Sequence, residues 1–340
     1  MTIDHRLSVA PMMDVTDRHC RFFLRQITRR TLLHTEMITT GALLHGDIDR
    51  HLRFHPDEHP LALQLGGSEP DALAQCARIA ARYGYDEINL NVGCPSERVQ
   101  RGAFGACLMA EPELVADCVK AMQEATTVPV TVKHRIGIGR VEDYDFMRRF
   151  VESVAKAGCR TFTVHARNAI LQGLSPKANR EIPPLRYDFV RHLKREHPHL
   201  DIVLNGGIRS WDEIDAELAS VDGVMLGRAA ESDPWMLAQA DQHVFGDVSP
   251  PATRAAVIAA VARYAAGEVA SGTPLRHIVR HLHGVYRARP VARRWRQMLS
   301  DPQALATNDP TLLLRALEVA EQREFAFDAR PPVAEHLDAS

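Results

Sequence analysis

The chain has 340 residues, 45% hydrophobic and 25% charged, which is an ordinary composition for a water-soluble globular protein. The length predicts about two domains. No run approaches the ~18 apolar residues of a membrane span, and the opening MTIDHR lacks the apolar core of a signal peptide, so the sequence predicts a cytoplasmic protein. The six cysteines (Cys20, Cys76, Cys94, Cys107, Cys118, Cys159) form no CxxC pair; in a reducing compartment that argues against a disulfide framework or a zinc ribbon. Net charge is −2, but residues 251–300 carry nine arginines, no lysine and one acid, Glu268. That block is +8 in an otherwise acidic chain, a pattern that suits a polyanionic partner.

In chain order, short apolar runs recur and end in small or polar residues: LSVAPM (7–12), LLHTEM (32–37), LALQLGG (61–67), EINLNVGC (87–94), VPVTVKHR (128–135), TFTVHAR (161–167), DIVLNGG (201–207) and GVMLGRA (223–229). These are eight predicted strands. Segments of helical period separate most of them, such as 69–84 and 111–126. Strand–helix alternation means parallel pairing through crossover helices. Eight such units predict an α/β fold of the eightfold β/α (TIM) barrel type over residues 1–245. An open doubly wound sheet is the rival, but no GxGxxG follows the first strand. GDVSPPA (246–252) reads as a linker. Residues 253–325 have helical periodicity and no strand-like run, which predicts a C-terminal all-helical domain, followed by a tail over 326–340.

In such barrels the active site lies at the C-terminal ends of the strands. Nearly every run here ends in polar or glycine-rich residues, which a purely structural rim does not need. Runs seven and eight end in Asn205-Gly206-Gly207 and Gly227-Arg228, and the loops after these two strands are the usual phosphate site. Glycine lets backbone N–H groups approach a phosphate, and arginine adds charge and a fork of donors. The alternative is a pair of tight turns.

The phosphorylated cofactor that best suits the remaining rim is FMN. Gln64 can pair with an imide edge. Lys133 can sit where a reduced flavin ring becomes anionic, and the turn Pro11-Met12-Met13 can cover the other side of the ring. His165 is a further flavin contact, or else a core histidine bonded to backbone. Lys133 has an alternative use as a Schiff-base lysine. Cys94 stands between Gly93 and Pro95 at the end of the fourth run, at the predicted rim. Cys20, Cys76, Cys118 and Cys159 read as small core residues. A thiol is mostly protonated near pH 7, so Cys94 is a candidate proton donor.

With these residues in place, APMMDVTD (10–17), LQLGG (63–67), NLNVGCP (89–95), VTVKHRIG (130–137), VHAR (164–167), NGGI (205–208) and GR (227–228) resemble, in the same order, the motifs of the tRNA-dihydrouridine synthase family. NVGCP followed by RGAFGACL (101–108) resembles a specific family signature, and TEMITTGALLHG (35–46) and GLSPKANREIPPL (173–185) resemble its A branch, which acts on uridines 20 and 20a of the tRNA D-loop. The resemblance implies FMN reduced by NADPH or NADH, hydride delivery to uridine C6, and a proton from Cys94 to C5. It implies that Asn91 orients the uracil edge or Lys133, and that the target base is flipped out of the RNA.

The helical domain then has a role as a tRNA-binding surface. Arg289, Arg293 and Arg296 follow helical spacing, as do Arg276 and Arg280. Arg293 and Arg296, with Lys177 and Arg180 in the loop after the sixth run, are the candidate phosphate contacts. His277, His281 and His283 sit among arginines that would repel a metal cation. Two rival functions remain, reduction of a free pyrimidine and non-catalytic RNA binding. The basic block speaks against the first, and intact Lys133, Cys94 and NGG/GR motifs speak against the second.

Overall fold

The structure, a computed structural model, describes residues 3–328. Eight parallel strands form one sheet: β1 (Leu7–Val9), β2 (Leu33–Thr39), β3 (Leu61–Gly66), β4 (Glu87–Val92), β5 (Val130–Arg135), β6 (Thr161–His165), β7 (Asp201–Asn205) and β8 (Gly223–Leu226). Each lies beside its sequence neighbour, and β1 also pairs with β8. The circle closes between β1 and the residue before β2, where Val9 N donates to Leu32 O at 2.9 Å and Leu32 N to Leu7 O at 3.2 Å. The sheet is therefore a closed β/α barrel.

Every predicted strand is present. The first is shorter than its apolar run: Ala10 N still donates to Leu226 O at 2.8 Å, but Pro11 has no N–H and ends the ladder. The second runs further, to Thr39, after a register shift between His34 and Met37. The crossover helices appear where the periodicity placed them, for instance Pro70–Tyr83 and Pro112–Ala125. Each carries proline in its first turn, where the missing N–H breaks no helical hydrogen bond.

Alternation sorts the strand residues. Ile88, Leu90, Val92 and Val132 join the apolar core shared with helix residues such as Val119 and Met122. Their neighbours Glu87, Asn89, Asn91 and Thr131 turn to the other face, the barrel lumen, where they hydrogen-bond across strands. At the opposite wall the lumen is apolar, with Ala10, Val203 and Met225 packed together.

Residues 246–252 run as irregular chain into the helix Arg254–Ala270. That helix packs on the barrel helix Arg18–Ile27. Tyr264 stacks on Phe22 with ring centroids 4.0 Å apart and takes His19 Nδ1 at 2.7 Å, while Arg18 is ion-paired with Glu268. The helices Ala292–Leu299 and Thr311–Asp328 complete this unit around buried Trp295. Its apolar residues join those of the barrel in one core. The predicted tail lies outside the described residues from position 329 onward. Among the described residues, no helix is long and apolar enough to cross a membrane.

Candidate functional site

A cavity of about 1330 Å³ opens at the C-terminal ends of the strands. It exceeds the ~300–1,000 Å³ of a typical small-molecule pocket, so it has room for a cofactor and part of a second ligand. Pro11, Met12, Met13, Gln64, Asn91, Cys94, Lys133, His165, Arg180, Asn205, Gly206, Gly207, Gly227 and Arg228 all line it. Lys177, Arg293 and Arg296 do not. Lys177 is exposed next to lining residue Pro176, and the two arginines are exposed on the helix Ala292–Leu299.

One corner is positively charged and open to close approach by a ligand. Gly206 and Gly207 have φ of 116° and 81°, conformations that disfavour any side chain. A Cβ on Gly206 would also stand 2.6 Å from His165 Cδ2, and one on Gly207 2.9 Å from Tyr187 Oη. Beyond β8, Gly227 faces open space. Arg167, Arg209 and Arg228 converge behind these turns. Burial lowers the proton affinity of Arg167, and the charges of Arg228 and Arg209 lower it further. Arg167 Nε is buried without a hydrogen-bond partner. Arg209 and Arg228 line the cavity beside these side-chain-free turns, and a corner this positive fits a phosphate group. Arg228 itself is turned to Glu181, at 2.6 Å, and to the Arg180 carbonyl at 3.2 Å, so part of its fork holds the loop after β6. Arg209 also lines the cavity, with its backbone N–H donating to Glu213 Oε2 at 2.6 Å. Sequence reading stopped one residue short of it, at NGGI.

The centre of the cavity floor carries Lys133, His165 and Gln64. Lys133 Nζ donates to Asn205 Oδ1 at 3.0 Å, and Asn205 Nδ2 donates to Met225 O at 2.7 Å. Burial, reinforced by Arg135, pulls the Lys133 ammonium down to about 7. Burial and the nearby cations hold His165 well below the usual histidine range, so its ring is neutral. An electron-poor, partly charged floor of this kind suits a ring that gains negative charge on reduction. Gln64 is pinned by Asn89 and Asn91, at 2.8 Å each. It retains one N–H and one carbonyl lone pair. On the β1 side, the turn after Pro11 is tied by Thr16 Oγ1 to Met12 N at 3.0 Å and leaves Met13 exposed.

Cys94 follows β4. Asn91 Oδ1 accepts from the N–H groups of Gly93 at 3.1 Å and Cys94 at 2.9 Å, and Cys94 O accepts from Ala106 N at 2.9 Å. Gly105, with φ of 74°, lies where a Cβ would come within 2.7 Å of that carbonyl. Cys94 is half-buried and lines the cavity, while Cys20, Cys76, Cys118 and Cys159 are buried. Burial pushes the last three up to about 11, 12 and 12 respectively, so they are inert packing thiols. Asn91, expected to touch substrate, has its carbonyl committed to the Cys94 turn.

The rim is basic on two sides. Arg50, His51 and Arg53 line it from the segment after β2, and His277 and Arg280 from the helical unit. Arg280 is held by Asp17 at 2.6 Å, and His281 meets the same carboxylate at 3.0 Å. Sequence reading did not single out Arg50 or Arg53. They sit in a short helix and its flank, among histidines and acids, with no periodic signal.

The family model described as Dihydrouridine synthase matches residues 8–322, across both the barrel and the helical unit. The chain belongs to the dihydrouridine synthase family. Among its relatives is a tRNA-dihydrouridine(20/20a) synthase of Pseudomonas putida, 57% identical over 318 residues, 94% of this chain and 95% of the relative. Proteins of the same name from Synechocystis sp. and Escherichia coli K12 are 55% and 54% identical. They cover 92% and 94% of this chain, and 93% and 92% of their own lengths. The match begins within β1 and ends in the last helix.

Proposed function

We propose that this chain is a cytoplasmic enzyme that reduces the uracil C5=C6 bond of uridines 20 and 20a in tRNA to dihydrouridine, using FMN and NADPH. The names of its relatives support the substrate and positions. The observation that carries the chemistry is Cys94, the one cysteine among the described residues on the wall of the strand-end cavity. FMN bound in this cavity and reduced by NADPH would supply the hydride for uracil C6. As C6 is reduced, negative charge spreads toward the C4 carbonyl and C5 needs a proton. The Cys94 thiol delivers it.

The other residues bind and orient. Gly206, Gly207, Gly227, Arg228 and Arg209 hold the FMN phosphate, with Asn205 tying Lys133 to that corner. Lys133, Gln64, His165 and the turn Pro11-Met12-Met13 would hold the flavin ring, with Lys133 and Gln64 offering polar groups to it and His165 a neutral one. Asn91 acts on substrate mainly by fixing the Cys94 turn. Residues 253–325 form the tRNA-binding unit, with Arg293 and Arg296 on its exposed helix and Lys177 and Arg180 at the cavity mouth. The base enters by flipping out of the RNA, because a buried ring cannot be reached from within a folded loop. A free pyrimidine as substrate would give the exposed rim arginines Arg50 and Arg53 no role.

The test is direct. Unmodified tRNA transcript incubated with the protein and NADPH, digested and analysed by mass spectrometry, gains two hydrogens at uridines 20 and 20a. An unchanged transcript, with a free pyrimidine reduced instead, overturns the assignment.

A further inference from the structure

Five side chains in the barrel lumen form one continuous hydrogen-bonded line beneath the site. From the top, Asn91 Nδ2 donates to Gln64 Oε1 at 2.8 Å and Gln64 Nε2 to Asn89 Oδ1 at 2.8 Å. Asn89 Nδ2 then donates to Thr131 Oγ1 at 2.9 Å, and the Thr131 hydroxyl to Glu87 Oε1 at 2.6 Å. Strand register explains the order, since Gln64 pairs with Asn89 and Asn89 with Thr131. All five are buried.

The two ends fix the direction. At the top, Asn91 Oδ1 meets the backbone N–H groups of Gly93 and Cys94, which can only donate. At the bottom, an ionised carboxylate can only accept. Reversing any amide between them would set donor against donor and acceptor against acceptor in a buried interior, where unmade hydrogen bonds are costly. His5 keeps the lower end ionised: its Nε2 lies 2.6 Å from Glu87 Oε2. Despite burial, this contact holds the Glu87 carboxyl below the usual range and raises His5.

Of these residues, Gln64 and Asn91 line the cavity, whereas Glu87, Asn89 and Thr131 do not. We propose that Glu87 and Thr131 are positioning residues, which act through this one-way line to present the free N–H and lone pair of Gln64 to the flavin imide edge in a single order, and to hold the Cys94 turn. An unconstrained glutamine could swap the two ends by a half-turn, and its preference for an imide would blur. The flavin part of this inference rests on the FMN reading above; the Cys94 part does not.

Thr131→Val removes the hydroxyl and keeps the shape, and Thr131→Ser keeps the hydroxyl. Each full-length protein is checked for folding by its melting curve, stripped of flavin, and titrated with FMN and with FMN methylated at the imide nitrogen. In parallel, the rate of iodoacetamide modification at Cys94 is followed by peptide mass mapping. Thr131→Val is expected to bind FMN about 3- to 10-fold more weakly, the worth of one hydrogen bond. It should also discriminate less between the two flavins and alkylate Cys94 faster, with Thr131→Ser near wild type in all three. A general loss of stability would weaken both flavins alike and leave their ratio unchanged, and that result overturns the proposal. So does a Thr131→Ser protein as impaired as Thr131→Val. If wild type binds no FMN, the cofactor reading fails, and the alkylation rates still decide whether the line holds Cys94.

Discussion

Lys133 Nζ and Asn205 Oδ1 meet at 3.0 Å and join β5 to the start of the glycine turn after β7. The contact couples the centre of the cavity to its anion corner. The Asn205 carbonyl is a neutral partner for a buried ammonium that has Arg135, the Cys94 thiol and His165 among its ionisable neighbours.

That environment predicts a pH dependence. Folded Lys133 loses its proton near pH 7, against an ordinary value of 10.5. Between those values the unfolded chain binds more protons than the folded one, so this residue makes stability rise with pH. Below pH 7 the full penalty of the buried charge is present. Lys133→Met should therefore stabilise the flavin-free protein most at pH 6 and progressively less toward pH 10. Urea unfolding at several pH values measures it. A variant equally destabilised at every pH would show that Lys133 is held by favourable contacts instead.

The anion corner predicts two separable defects. Arg209→Ala should purify with less flavin and otherwise melt normally. Arg228→Ala should lose flavin and also loosen the loop after β6, because its contacts with Glu181 and the Arg180 carbonyl go too. Limited proteolysis between residues 173 and 185 reads the second effect. Full flavin occupancy in both variants would move the phosphate elsewhere.

The rim predicts how tRNA binding responds to salt. Each phosphate-contacting arginine removed should flatten the plot of log K against log salt by about 0.7–0.9. Arg50→Ala/Arg53→Ala probes the cavity edge, and Arg293→Ala/Arg296→Ala the exposed helix of the helical unit. Both pairs should reduce the slope. A slope unchanged in the second pair would confine the RNA to the cavity mouth.

The eight strands were legible because each is a short apolar run closed by a turn residue, and barrel topology leaves little freedom once eight parallel units are counted. The floor of the site was legible for the same reason: Gln64, Lys133, His165 and Asn205 are strand-end residues, and strand ends share one rim. What sequence alone missed is brought together only by the fold. Arg209 lies just beyond a recognisable motif, and Arg50 and Arg53 come from a short helix. Arg280, singled out by its helical spacing, was not placed at the cavity, where Asp17, more than 250 positions away, holds it. Asn91, expected to orient the uracil edge or Lys133, lines the cavity and also caps the Cys94 turn with its carbonyl, a contact that depends on backbone geometry. The polar lumen left a faint mark in the alternation Glu87, Asn89, Asn91, where a buried strand usually alternates apolar residues.

The most direct test of the account separates the two halves of turnover at Cys94. Reduction of the bound flavin by NADPH needs no proton from this thiol, so Cys94→Ala should be reduced at close to the wild-type rate. Oxidation of the reduced protein by tRNA, followed by flavin absorbance in a stopped-flow instrument, should slow by about 10²–10⁴-fold. Cys94→Ser should also be slow, since a hydroxyl is a far weaker acid. A Cys94→Ala protein that is reoxidised by tRNA as fast as wild type, with dihydrouridine formed, would contradict the account.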